Sequence, residues 1–157
     1  MRVAYRSVLM ALGLFAVATA AQAVESKASK STSQSVDAVW KKIGDFCGIS
    51  QWHPAVASCT LSADKKDRTL TLKGGGTIVE HLVRWSNHHH FYTYKIVSGP
   101  LPVDNYESTI AVKADKSGSG SVITWNGKYA AKGASDAEAK KAIDGVYDAG
   151  LTALAGS

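Results

Sequence analysis

Glu80 stands in a row of apolar residues. Strand alternation from Thr77 to Trp85 puts it on the same face as Ile78 and Leu82, a row that should point to the core. A carboxylate in that position is costly unless it is paired. Burial also raises its pKa, which suits a general acid or base, or a group that orients a polar ligand atom. A hairpin turning near Asn87 to His89 would set Glu80 roughly opposite Tyr94, whose hydroxyl could then hydrogen-bond the carboxylate. The alternative is a structural ion pair, for instance with Arg84 on the same face.

His53 is the second candidate for acid or base work. It follows Trp52 and precedes the stiffening Pro54, in a loop expected to cap a cavity mouth. There an indole and an imidazole can meet a ligand, or the Trp52 ring can simply close the core. His88-His89-His90 are of a metal-ligating type, but consecutive residues leading into a strand point in alternating directions, so the expectation is a solvated turn and no metal. Cys47 and Cys59 lack the CxxC spacing of a redox couple and the ligand number of a zinc site. Gly74-Gly75-Gly76 joins two strands with no helix N-terminus behind it, so it reads as a hairpin turn and not as a phosphate cradle. There is no G-x-S-x-G elbow, and no cofactor is implied.

The elements that must position these residues follow from periodicity. Residues 24 to 34 carry only a weak strand signal. Val36, Val39, Trp40 and Ile43 then fall at helical spacing, with Ser35 placed to cap and Gly44 to stop. Asp45 to Ala57 reads as a loop or a broken second helix. Six period-two segments come next: Val56 to Leu61, Arg68 to Leu72, Thr77 to Trp85, Phe91 to Val97, Tyr106 to Val112 and Val122 to Tyr129. Short links between them predict an antiparallel meander. The last helix opens on a capping box, Ser135 with Glu138, and keeps an apolar stripe from Ala139 to Leu154. On that stripe Gly150 allows a close approach to the sheet or leaves room beneath the helix. The fold class is thus α+β, with an antiparallel sheet of about seven strands wrapped around a long C-terminal helix and short helices after the first strand.

That element order, with Trp52-x-Pro54, Gly76-x-Ile78-x-Glu80-x-Leu82, Tyr94-x-Ile96, Gly99-Pro100-Leu101-Pro102, Asn105-Tyr106, Trp125 and Ile143-x-x-Val146-Tyr147, resembles the helix-grip fold of the START and Bet v 1-like superfamily. The local text resembles its polyketide cyclase/dehydrase-type branch. The resemblance implies a cavity between sheet and helix for an apolar or amphipathic molecule. It implies Trp52, His53, Glu80, Leu82, Tyr94, Leu101, Tyr106 and Trp125 around that cavity. Family members include carriers, receptors and cyclases, so a cyclase or dehydratase using Glu80 or His53 is an alternative to simple binding. Exported members include accessory proteins of methanol oxidation, which makes a periplasmic oxidoreductase partner a further alternative.

The N-terminus supplies the context. Arg2 and Arg6, an apolar stretch from Val8 to Ala20, and Ala21-Gln22-Ala23 match a secretory leader cleaved after Ala23, too short to anchor in a bilayer. Removing 23 of 157 residues leaves 134, one domain's worth spanning 24–157. Without Arg2 and Arg6, 16 of the 18 basic residues face 13 acidic ones, so net charge falls from +5 to +3. The lysines are scattered, which excludes the basic patch of a nucleic-acid binder. A periplasmic or secreted location favours a Cys47–Cys59 disulfide, with two buried free thiols as the alternative.

Overall fold

A computed structural model describes residues 23–156. The leader expected over residues 1–23 lies outside the described residues, apart from Ala23. The described chain contains strands β1 (Val24–Thr32), β2 (Val56–Leu61), β3 (Asp67–Leu72), β4 (Thr77–Ser86), β5 (Phe91–Ser98), β6 (Val103–Ala114) and β7 (Ser121–Ala131). Its helices are α1 (Val36–Ile43), α2 (Ile49–Trp52) and α3 (Asp136–Gly156). The strands form one antiparallel sheet in the order β1-β7-β6-β5-β4-β3-β2. β1 and β2 therefore occupy opposite edges, and α1 and α2 carry the chain from one edge to the other. Bulges in the β2–β3, β4–β5 and β6–β7 ladders bend the sheet. α3 lies across the concave face, packed on β1 and β7.

The helix ends obey the expected chemistry. Ser35 Oγ accepts the Ala38 N–H at the start of α1, and the Gly44 N–H returns to the Trp40 carbonyl at its end. Ser135 and Glu138 form the reciprocal capping box of α3, at 2.8 Å and 3.3 Å. The apolar stripe of α3 buries Ala139, Ile143, Tyr147, Leu151 and Leu154.

Two expectations change. The weak first strand is a full nine-residue edge strand paired to β7 along its whole length. After Val24 its inward positions are Ser26, Ala28, Lys30 and Thr32, small or polar side chains that leave no apolar period to detect. Ser26 is nevertheless fully buried, its hydroxyl 2.6 Å from that of Tyr129. β6 begins three residues earlier than its alternation indicates, because a bulge between Asp104 and Glu107, with Asn105 at φ 50°, interrupts the period.

A disulfide joins Cys47, between α1 and α2, to Cys59 on β2. It pins the α1–α2 segment to the β2 edge of the sheet. His88, His89 and His90 occupy the β4–β5 turn region. His88 packs against His89, while His90 turns to the Trp40 ring, so the three rings do not converge.

Candidate functional site

Between α3 and the β2–β5 half of the sheet lies a cavity of about 250 Å³. Its floor is buried and comes from every layer: Leu70 from β3, Ile78 and Glu80 from β4, Tyr94 from β5, Tyr106 from β6, Trp125 from β7 and Ile143 from α3. His53, after α2, closes one wall. Ala55, Leu72, Ile96, Leu101 and Val146 retain exposure and form the mouth. Of the residues expected there, His53, Glu80, Tyr94, Leu101, Tyr106 and Trp125 line the cavity. Trp52 and Leu82 do not. Trp52 lies behind the wall, edge-on to Trp125 at 5.8 Å, and half-buried Leu82 packs against the core further along β4.

Glu80 does not pair as the sequence indicated. The β4–β5 link spans four residues, Asn87 to His90, with His90 at φ 51°, and with the bulge between Leu82 and Arg84 it sets a register two residues from the expected one. Glu80 therefore faces Ile96, and Tyr94 faces Leu82. Nor is Arg84 its partner, since that exposed side chain lies over the Phe91 ring. The partner is Arg68, directly opposite on β3, whose Nε donates to Glu80 Oε2 at 2.6 Å. Both residues are buried. Arg68 Nη1 donates to the Phe46 carbonyl, and the Phe46 ring covers the guanidinium at 4.1 Å. Tyr94 adds a second aromatic face at 5.1 Å. Arg68 Nη2 and the Tyr92 hydroxyl lack an aligned hydrogen-bond partner among the described residues. Burial pushes the Glu80 carboxyl above the usual carboxylate range, and the Arg68 charge opposes that. A neutral Glu80 would leave a buried guanidinium uncompensated, so the pair is ionic at neutral pH. The signal for Arg68 lay in the sequence. It shares the inward face of β3 with Leu70 and Leu72, as Glu80 shares that of β4.

His53 is equally committed. Its Nδ1 accepts the Ala55 N–H at 3.2 Å, so the proton sits on Nε2, which donates to the Val146 carbonyl at 3.1 Å. Burial lowers its pKa and keeps it neutral. Gly150 is the reason the ring fits. A Cβ there would lie 2.7 Å from His53 Cδ2, 2.8 Å from Trp125 Cζ3 and 3.1 Å from Trp52 Cζ3.

Behind the floor runs a chain of polar groups. The Trp125 Nε1–H donates to Tyr94 Oη at 3.1 Å, and Tyr94 contacts Tyr106 at 3.2 Å. Tyr106 contacts Tyr147 at 2.7 Å, Tyr147 contacts Ser108 at 2.8 Å, and Ser108 donates to the Asn126 carbonyl at 2.8 Å. Burial holds the phenols of Tyr94 and Tyr106 well above their ordinary pKa, so they stay neutral. Gly127 leaves the space that the Tyr147 hydroxyl fills. Sequence reasoning missed Tyr147 and Ser108 as site components because each reads as an ordinary core position.

The comparisons with known proteins agree with this architecture. The protein XoxI from Bacillus cereus is 34% identical, with a TM-score of 0.82 over 85% of this chain and 94% of that one. An uncharacterized protein from Bacillus thuringiensis is also 34% identical, with a TM-score of 0.82 over 84% of this chain and 96% of its own. A protein from Thermobifida fusca gives 25% identity and a TM-score of 0.73, covering 83% and 90%. No curated protein matches. The family model described as polyketide cyclase / dehydrase and lipid transport matches residues 23–156. The chain therefore belongs to the polyketide cyclase / dehydrase and lipid transport family, within the helix-grip superfamily that its element order resembles.

Proposed function

We propose that this chain is an exported binding protein that holds one small apolar or amphipathic molecule between the sheet and α3. The observation that carries the reading is the cavity itself, apolar at its mouth and floored by aliphatic side chains, aromatic rings and the Glu80 carboxylate that Arg68 holds from behind. Its size decides the class of occupant. A dry cavity of about 150 Å³ already holds benzene. About 250 Å³ suits a molecule of one or two rings, or a short chain, and is too small for a two-chain lipid. Export is supported by the leader pattern in the sequence and by the Cys47–Cys59 bond, which persists best in an oxidising compartment.

Binding is preferred over acid/base catalysis because both candidate groups are already engaged. Both His53 ring nitrogens are hydrogen-bonded to backbone, and Glu80 is tied to Arg68. A general base must also take up the substrate proton, and a protonated Glu80 would leave the buried Arg68 guanidinium uncompensated. A docking role has less to stand on, since the large apolar side chains exposed among the described residues are Val83, Trp85 and Val97.

Native mass spectrometry of protein recovered from the periplasm tests both parts. The expected species begins at Val24, carries the disulfide and retains a small-molecule adduct. A saturating apolar ligand at 100 times its Kd should add about 2.7 kcal/mol, a rise in Tm of roughly 10 °C for a domain this size. An adduct-free protein whose Tm no single-ring amphipath moves would end the binding reading. A chain retaining its leader would end the export reading.

A further inference from the structure

The direction of every hydrogen bond behind the cavity floor is fixed from one end. Ser108 has one hydroxyl hydrogen and gives it to the Asn126 carbonyl. The 2.8 Å contact with Tyr147 must therefore run from Tyr147 to Ser108. Tyr147 then has no hydrogen left for Tyr106, so Tyr106 donates to Tyr147, and by the same step Tyr94 donates to Tyr106. Tyr94 accepts from the Trp125 indole, which has no alternative role. His53 spends its ring hydrogen on the Val146 carbonyl. Glu80, ionised by Arg68, has no hydrogen to give.

Of these side chains Trp125, Tyr94, Tyr106, His53 and Glu80 line the cavity, and Ser108, Tyr147 and Arg68 do not. The polar capacity left in this largely apolar lining is lone pairs: those of Glu80 not used by Arg68, and the remaining acceptor capacity of Tyr94 and Tyr106. Arg68 balances the Glu80 charge, so the acceptor-only wall does not call for a cation. We propose that the cavity selects a neutral hydroxyl-bearing molecule with an apolar body, and discriminates against carbonyl and carboxylate groups of the same shape. The proposal rests on the binding reading and names its ligand class. A carbonyl facing this wall would oppose acceptor to acceptor and lose its own hydrogen bonds to water. Sites that leave polar groups unmatched in this way discriminate strongly between isosteres.

The test uses three probes with one skeleton: 4-phenylbutan-2-ol, 4-phenylbutan-2-one and butylbenzene, titrated calorimetrically into the leader-free protein at neutral pH. The alcohol should bind at least about tenfold more tightly than the ketone. A ketone that binds as tightly as the alcohol, with butylbenzene also binding, would overturn the donor rule and leave the cavity reading standing. If none of the three binds, the cavity reading falls and the donor rule with it. Two variants outside the cavity wall address the cause. Ser108→Ala or Tyr147→Phe removes the acceptor that fixes the chain, so Tyr94 becomes free to turn its hydrogen to the guest. In either variant the alcohol-to-ketone preference should shrink several-fold. A folded variant with an unchanged preference would overturn the assignment of selectivity to the hydroxyl chain.

Discussion

The two halves of the sheet solve the same problem in opposite ways. The β1-β7-β6 half meets α3 directly, and there the rings are stacked and the polar groups matched. Trp125 and Tyr147 lie 4.7 Å apart at 12°, and Tyr106 stacks on Tyr129 at 5.8 Å. Ser26, Ser108 and the tyrosine hydroxyls satisfy one another. The β2–β5 half lies beyond the reach of α3. Its concave face is filled by the Arg68–Glu80 pair, by Phe46 from the α1–α2 segment and by the cavity. That half also carries Arg68 Nη2 and Tyr92 Oη, buried without aligned partners. The matched half specifies the fold, and the unmatched half holds the cavity in which the proposed guest would sit. A domain of this size rarely forgoes so much packing without a functional return.

The sharpest way to break that contrast is to remove the charge pair from one side. Arg68→Met leaves Glu80 buried without its counter-ion and should cost about 3–5 kcal/mol, read by urea denaturation at neutral pH. The double variant Arg68→Met/Glu80→Leu should cost less than the single one, because no uncompensated charge remains. If the double variant is the weaker of the two, the pair is not the polar heart of the open half. The loss in Arg68→Met should also grow with pH, since the orphaned Glu80 must hold its proton to stay buried.

A smaller effect, with opposite signs in two neighbouring turns, comes from the α3 glycines. Gly150 meets two rings of the cavity wall, His53 and Trp125, and the Trp52 ring behind it. Gly150→Ala should gain about 1 kcal/mol of helix propensity and lose roughly 1–3 kcal/mol to overpacking. The expected result is net destabilisation, with weakened ligand binding because His53 and Trp125 must shift. A Cβ added at Gly145 would meet nothing within 4 Å. Gly145→Ala should therefore stabilise by up to about 1 kcal/mol, and thermal melts of the pair check both signs together. A stabilised Gly150→Ala variant would show that the wall yields, and that α3 does not gauge the cavity.

Sequence patterning reveals the matched half and the open half unequally. Strand alternation and the α3 stripe report which residues point inward, so six strands, the long helix and the apolar row holding Glu80 were legible. The first strand gave only a weak signal, because after Val24 its inward positions are Ser26, Ala28, Lys30 and Thr32, without an apolar period. The residues of the cavity were largely legible, but not their partners. Partnership depends on register, and a four-residue turn with a bulge between Leu82 and Arg84 moved Tyr94 two places from Glu80. The Arg68 pairing needed only the observation that two adjacent strands each bury one opposite charge. The hydroxyl chain could not be anticipated, since its direction is set by Ser108 and Tyr147, which look like packing residues until their contacts are known.

The smallest expected effect separates the two halves by pH. Glu25 lies at the β1 edge of the matched half, opposite Lys128. Hydrogen bonds from Lys27 and Lys128 lower its pKa from 4.5 to about 2. A depressed carboxylate stabilises the fold above its unfolded value, and the contribution is lost as pH falls from about 4.5 towards 2. Glu80 in the other half is buried against Arg68, and burial shifts its carboxyl in the opposite direction. In Glu25→Gln the stability deficit relative to the unmodified chain should be present at neutral pH and close across the acid window. The carboxylate is solvent-accessible, so added salt should also shrink the deficit. Acid titrations of Tm at low and high salt measure both dependences. A deficit that ignored salt would mean that Glu25 acts through the β1–β7 pairing and not through its charge, and the matched half would then owe more to this edge than to its stacked rings.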